Sequence, residues 1–566
     1  MSNDTGGIST YGWHTVTAVT YADINKALVK TTLFPAGFTY TVPGPAPVNA
    51  IAGTFTGWKL TTGGSGPKLK FSATVASGTK TLNGVASNLV AGTVVVEVEA
   101  GFIPQPGADN KFDLKLQSGV PVNVVATSPA QGNFADDQQF KMLFQQWLRD
   151  NLSAFNHVFA SVDLDADYAK VDAQNGKGLA WLKPSWVSYA VAEPSVGPTE
   201  DNCVFAVLSM IDDTALDSIP RLSQEVSLDA IPPGCRAGFL IAPEKFLRHM
   251  LLAAMPLMFV GITDDALATT EAAKNFIIDN GGTRIINRNP LTMNQVTLDN
   301  GNTVSPVVDA GNFSLTVDTD ELELAFTDMT FEYSTGITMH LGFSSRGKII
   351  LNSTTAGPES LDLAIVTQKI TPPYTTIDAG LAKTTLILSV VTAAVTAVSG
   401  GLAFYAKAAA TAASRAATVG EAGADAASNA GREVSQSMEA DGSIEMQSIS
   451  REAGAVVPAM TRAEIQAMVT ATATNILSRA AVPVGALATW APRVAKVALA
   501  LAFCNGVSAG IIKSLQDIAE HRYDSMPNIN SLLAGAIGST VQWPAAMDSY
   551  TLYNAQLNEA LQFGLK

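Results

Sequence analysis

The run Thr10-Tyr11-Gly12-Trp13, leading through the β-branched segment Thr15-Val16-Thr17-Ala18-Val19-Thr20 into Tyr21-Ala22-Asp23-Ile24-Asn25-Lys26-Ala27-Leu28, decides how this chain is read. Alternating β-branched residues predict a strand, and Ile24, Ala27 and Leu28 share one face of the short helix that follows. Asp23 is the expected cap of that helix. Phe55-Thr56-Gly57-Trp58 and the loop Gly63-Gly64-Ser65-Gly66-Pro67 come next. The loop lies between two strand-like runs and lacks the Lys-Ser/Thr of a phosphate-binding loop, so it reads as a hairpin connection. Trp13 and Trp58 each follow a glycine at the edge of a β-run and are expected to be structural anchors.

Antiparallel patterning continues outward from this opening. Val94, Val96 and Val98 alternate with Val95, Glu97 and Glu99, which places one face in a core and the other partly in water. Residues 133–152 predict a helix: Phe140, Leu143, Phe144, Trp147 and Leu148 form one stripe, Asn133 suits the N-cap, and Asp136 and Asp137 suit the positive end of the helix dipole. The stripe either packs under the adjoining sheet or lines an apolar groove. Strands are expected at residues 155–163, 185–192 and 202–211. A second helix is expected from Pro243 through Phe246, Leu247, Met250, Leu251 and Met258, kinked or ended at Pro256. Residues 312–352 predict a β-meander, and Asp299-Asn300-Gly301-Asn302 a hairpin turn.

The patterning changes after Pro372-Pro373. Residues 384–406 carry no charge, and 408–431 are dominated by Ala, Ser, Thr and Gly, which predicts close-packed helices inserted into a β-protein. The uncharged stretch is long enough to span a bilayer, but its Thr, Ser and Gly content weakens insertion, so membrane contact is expected to be conditional. β-patterning returns at 541–563.

Three sets of residues resemble the TULIP (tubular lipid-binding) proteins of bacterial toxin clusters, the forty-seven-kilodalton and OrfX-type accessory proteins encoded beside clostridial neurotoxins. They are the opening described above, the run Leu322-Glu323-Leu324-Ala325-Phe326-Thr327-Asp328-Met329-Thr330-Phe331-Glu332-Tyr333, and Trp543-Pro544 with Leu557-Asn558-Glu559-Ala560-Leu561-Gln562. The resemblance implies an α+β fold in which curved antiparallel sheets wrap long helices and leave an apolar groove for acyl chains. The Ala-rich helical insertion is the main departure from it. The expected organisation is a TULIP-like region of one or two modules at 1–374, a helical insertion at 375–525 and C-terminal strands at 526–566. The candidate groove lining is Phe140, Phe144, Trp147, Met250, Leu251 and Met258. The implied ligand is a fatty acid or phospholipid. The implied partners are a toxin or other TULIP-like proteins of the same cluster.

Composition narrows the function classes. A chain of 566 residues with 47% apolar and 15% charged residues can bury a large core, and two or three structural units are expected. A net charge of -15 repels phosphate and argues against nucleic acid. Cys203, Cys235 and Cys504 are too few and too scattered for a disulfide framework or metal cluster. The five histidines form no HExxH or HxH pair, and no GxSxG elbow is present. Asp163, Asp165 and Asp167 mimic the start of a calcium loop, but Tyr168 and Gln174 stand where glycine and glutamate are needed. The chain is therefore read as a non-enzyme without metal or cofactor. Its first residues hold neither a basic nor an apolar signal region, so synthesis in a bacterial-type cytoplasm with export by another route is expected.

Overall fold

The computed structural model describes residues 7–31, 33–44, 48–108, 110–164, 180–211, 222–252, 255–262, 275–297, 303–334, 337–352, 360–377, 541–544, 547 and 550–566. The Ala-rich segment, including residues 384–406, therefore lies outside the described residues, as do Asp165, Asp167 and the turn at 299–302.

In chain order the elements are β1 (Thr15–Thr20), α1 (Tyr21–Thr31), β2 (Gly37–Thr41), β3 (Ala50–Ser65), β4 (Lys68–Leu82), β5 (Val85–Asn88), β6 (Gly92–Pro104), β7 (Lys111–Leu116), β8 (Val122–Ser128), α2 (Phe134–Asn151) and β9 (Ala160–Asp163). There follow β10 (Pro184–Ala192), β11 (Val204–Ile211), β12 (Ala237–Ile241), α3 (Pro243–Phe246) continued by a π-turn at Leu247–Leu251, and α4 (Met255–Met258). Then come β13 (Phe276–Asp279), β14 (Arg284–Asn287), β15 (Leu291–Thr292), β16 (Val296–Thr297), β17 (Thr303–Val304), β18 (Val307–Val308), β19 (Phe313–Asp318), β20 (Glu321–Ser334), β21 (Ile337–Asn352) and β22 (Ser360–Ile377). Three strands close the chain: β23 (Val541–Gln542), β24 (Leu552–Asn558) and β25 (Ala560–Leu565).

The fold is built mainly of antiparallel sheets with few helices. A six-stranded sheet runs β10-β11-β1-β12-β25-β24. β1 lies between β11 and β12, and all six of its residues are buried. Its two faces serve different cores: Val19 joins the main apolar cluster, whereas Val16 and Ala18 join a smaller one with Trp13, Leu208, Leu240 and Val226. A nine-stranded sheet runs β2-β3-β4-β6-β7-β9-β23, with β5 on β4 and β8 on β6. An eight-stranded sheet contains β13, β14, β15 and β18 to β22, and pairs β20, β21 and β22 over long stretches.

The last strands belong to the same assembly as the first. β25 pairs with β12 from Ala237↔Leu565 to Ile241↔Leu561, and β23 pairs with β9. Gly238 allows this sheet to be covered closely, because a Cβ there would stand 1.9 Å from the Ala230 carbonyl oxygen.

Several local expectations need correction. Asp23 does not cap α1; Thr20 does, its Oγ1 accepting from the Asp23 N–H at 3.3 Å, while the Asp23 carboxylate is engaged elsewhere. The strand expected at 155–163 is reduced to β9, because the chain turns through a 3-10 helix at Leu152–Ala154 and Phe155 packs edge-on against Trp58. The second helix does begin with Pro243 at its N-terminus, but it passes into a π-turn instead of continuing as one α-helix, and Pro256 falls inside α4.

Candidate functional site

α2 is positioned by caps and charges at its start. The Asn133 side chain accepts from the Asp136 N–H at 3.0 Å. Asp137 accepts from Thr127 Oγ1 at 2.6 Å and from the Gln131 N–H at 2.8 Å, and pairs with Lys141 at 2.9 Å. Burial pushes the Asp137 carboxyl up, but these donors outweigh it and the net shift is downward. The helix then turns Phe140, Leu143, Phe144, Trp147 and Leu148 inward, each worth about 1.5 to 3 kcal/mol on burial.

The inward face meets rings from the first hairpins. Phe38 lies 5.1 Å from Phe144 and 5.7 Å from Trp147, and Phe55 lies 5.7 Å from Trp147 and 4.9 Å from Trp58. Trp58 continues the series to Phe155 at 5.0 Å and Phe34 at 5.6 Å. The Trp58 indole N–H donates to the Pro35 carbonyl at 3.3 Å. Phe140, Phe144 and Trp147 are at most 3% exposed.

Met250, Leu251 and Met258 are buried to the same degree, the first two on the π-turn and the third at the end of α4. Phe259, next in the chain, leads to Phe313 at 5.3 Å and from there to Phe326 at 5.4 Å. All six candidate lining residues belong to one contiguous apolar cluster, and Trp58 belongs to it as well. Trp13 does not: it sits in the smaller core, stacked on Trp186 at 5.2 Å, with its indole N–H donating to the Ser223 carbonyl at 2.9 Å.

Sequence reasoning missed a polar junction around α1. The Asp23 carboxylate is 1% exposed and holds Arg236, Lys26 at 3.1 Å and the Tyr550 hydroxyl at 3.0 Å. Asn25 brackets Leu60, accepting from its N–H at 2.8 Å and donating to its carbonyl at 2.9 Å, and also donates to Glu200. Glu200 in turn pairs with Lys59 at 2.7 Å; burial raises its carboxyl, and the Lys59 and Asn25 donors bring it below its usual value. Glu193 accepts from the Tyr21 hydroxyl and from the N–H groups of Gly63 and Gly64. Burial, followed by the nearby Glu193 charge, pushes the Tyr21 phenol far up. Tyr21, Asp23 and Asn25 were visible as part of the opening motif, but apart from Lys26 their partners lie far away in sequence and carry no local signal.

The four histidines among the described residues serve separate places. His14 Nδ1 accepts from the Ile211 N–H, His249 stacks on Trp181 at 4.6 Å, and His340 lies between Asp328 and Thr376. His157 is 1% exposed beside Thr31, Phe34 and Phe159. Asp163 pairs with Lys111 at 2.8 Å. Among the described residues no group of three His, Cys, Asp or Glu could hold a metal ion, and no helix is long and apolar enough to cross a membrane.

A family model described as "OrfX-like: Protein OrfX2/OrfX3/P47" matches residues 10–422. The chain is 27% identical to Protein OrfX3 of Paraclostridium bifermentans over 286 residues, 45% of this chain and 56% of that protein. It is 26% identical to Protein OrfX3 of Clostridium botulinum (strain Kyoto / Type A2) over 285 residues, 44% and 55% respectively. The matches thus span about half the length of these relatives. Among solved structures, P47 of Clostridium botulinum E1 is similar with TM-score 0.54 at 13% identity, covering 98% of both chains. P47 from Clostridium botulinum A2 gives TM-score 0.51 at 19% identity, covering 68% of this chain and 86% of that one. At these identities the likeness is one of fold.

Proposed function

The chain belongs to the OrfX-like family of OrfX2, OrfX3 and P47 proteins, and we propose that it is an accessory protein of a bacterial toxin cluster that holds acyl chains in its apolar interior. The observation that carries the lipid reading is the single contiguous cluster joining the aromatic face of α2 to the methionine-bearing segment at Pro243–Met258, enclosed by antiparallel sheets. Methionine side chains adapt to irregular apolar space, so Met250, Met255 and Met258 are the residues best suited to yield to an incoming chain. Each methylene transferred from water is worth roughly 0.8 kcal/mol, so a sixteen-carbon chain would gain on the order of 12 kcal/mol gross without a charged clamp.

In this reading the helix-bearing β regions are TULIP-like units, and the protein binds without catalysis, nucleotide or metal. The Ala-rich segment that follows β22, which lies outside the described residues, would mediate contact with a toxin, a related cluster protein or, conditionally, a membrane.

A second reading is favoured by the burial itself. All six candidate lining residues are at most 3% exposed and pack against protein side chains, as in a core that only stabilises a non-enzymatic structural or membrane-active toxin component. Titrating the delipidated protein with a fluorescent fatty acid separates the two. Saturable uptake supports lipid holding; a folded protein that takes up none supports the structural component.

A further inference from the structure

We propose that His157 is an acid-released latch on the strap at residues 33–36, which closes one end of the aromatic interior along α2; as a gate for lipid, this rests on the reading given above. The strap joins α1 to β2. It is tied down through three carbonyls: Leu33 accepts from the Asn156 N–H at 3.1 Å, Pro35 from the Trp58 indole at 3.3 Å and Ala36 from the Phe55 N–H at 2.8 Å. Between these ties Phe34 is set against Trp58, Phe155 at 5.3 Å and Phe71 at 6.0 Å. Lifting the strap would withdraw Phe34 and uncover the end of the ring series that continues through Trp58 and Phe55 to Trp147.

His157 lies at the foot of this strap. Its ring is 5.9 Å from that of Phe34 and 4.9 Å from that of Phe159, and its Nδ1 is 3.0 Å from Thr31 Oγ1, at the last residue of α1. The Thr31 hydroxyl donates to the Ala27 carbonyl at 3.0 Å, so it accepts from the imidazole. Nδ1 therefore carries the proton and Nε2 the lone pair. Nε2 is buried without a hydrogen-bond partner. Protonating it creates an imidazolium whose second N–H faces no acceptor, and a buried, unpaired charge is strongly disfavoured.

No neighbouring charge offsets this. The charged groups on the elements around the ring are Asp23, Lys26 and Lys30 on α1, Lys68, Lys70 and Lys80 on β4, Lys111, Asp113 and Lys115 on β7, and Asp163 on β9, and of these Asp23 is held by Arg236, Lys26 and Tyr550. None bonds to the imidazole: Asp113 is taken by Lys115, Ser161 and Gln105, Asp163 by Lys111, and Lys68 faces Glu97. Burial alone holds the closed-state imidazole down to about 4, against 6.5 for a solvated ring. The closed strap is thus fully favoured above pH 6.5 and loses its advantage as pH falls from 6.5 towards 4. If the lifted strap returns the ring to water, the opening equilibrium should rise on the order of 70-fold between pH 7.5 and 4.5.

Pulse-labelled hydrogen exchange of the full chain, corrected for intrinsic rate, should show this rise in the amides of Phe55 and Asn156, which donate to the strap's carbonyls when it is closed. His157→Asn, which keeps a donor for Thr31, and His157→Phe, which keeps an apolar ring, should each change less than threefold. A wild-type strap insensitive to acid, or variants that open as the wild type does, overturns the proposal. Should His157→Asn fail to fold, His157→Phe decides alone. Fluorescent fatty-acid uptake under the same conditions separates the latch from the lipid reading. Acid opening with no uptake at either pH upholds the latch and refutes lipid holding; equal uptake at both pH values with a closed strap overturns the latch only.

Discussion

Replacing Asp23 with leucine should be among the most damaging single changes outside the apolar core. The carboxylate is 1% exposed and gathers two donors from distant parts of the chain, Arg236 just before β12 and Tyr550 just before β24, and a third, Lys26, from its own helix. Removing one member of a buried ion pair costs about 3 to 5 kcal/mol, because the other charge is left without compensation. The Arg236 side chain is 36% exposed and can turn partly to water, which lowers that figure, whereas Tyr550 loses a bond to a charged acceptor worth about 1.5 to 3 kcal/mol. Lys26 is 48% exposed, and its pair adds at most about 0.5 kcal/mol. We expect a net loss of about 2 to 4 kcal/mol in urea unfolding, read as a lower midpoint at unchanged slope. Because the stranded guanidinium is part of the penalty, Asp23→Leu combined with Arg236→Met should cost less than the sum of the two singles by at least about 1 kcal/mol. Hydrogen exchange should also speed up in β24, which Tyr550 tethers. An Asp23→Leu cost below about 1 kcal/mol, or strict additivity with Arg236→Met, would refute the reasoning.

Trp13→Ala removes a fully buried ring stacked on Trp186 and should cost about 3 to 5 kcal/mol in urea unfolding, with Trp58→Ala of similar size; an unchanged midpoint for either removes its anchor role. Gly238→Ala drives a methyl group into the Ala230 carbonyl and should destabilise by about 1 to 3 kcal/mol or more, whereas a neutral effect would mean that the covering turn is loose. The Asp137 carboxyl sits below its usual value, so its contribution is present above about pH 4 and fades as pH falls further through the folded value. Asp137→Asn should therefore flatten stability against pH in that acid range, measured by thermal melts between pH 2.5 and 5, and an unaltered profile would contradict the assignment.

Elements that depend on local pattern were legible in the chain itself. α2 announced its boundary through Asn133 and its buried stripe through five apolar residues at helical spacing, and β6 announced its faces through alternating valines. What the stripe of α2 meets was not legible, because Phe38 and Phe55 come from hairpins far earlier in the chain with no local mark of that destination. The same holds for the C-terminal hairpin: its β character was readable, but its partner β12 lies more than three hundred residues away. Asp23 shows how a local rule misleads. A carboxylate near a helix start fits a cap, yet the cap is Thr20, and the carboxylate answers to Arg236 and Tyr550, 213 and 527 positions away. The π-turn after Pro243 was likewise hidden, since Leu247–Leu251 has the composition of an ordinary helix. The family resemblance supplied what periodicity could not, because its motifs come from both ends of the chain.

The most direct test of the account is native mass spectrometry of the purified protein, followed by organic extraction of whatever it carries. The account predicts an added mass equal to one or more acyl lipids, lost on extraction, regained on incubation with fatty acid, and diminished by Met250→Asp or Phe144→Asp variants that remain folded. A protein that is lipid-free as isolated and stays so after incubation, with its fold intact, would contradict the claim that this interior holds acyl chains.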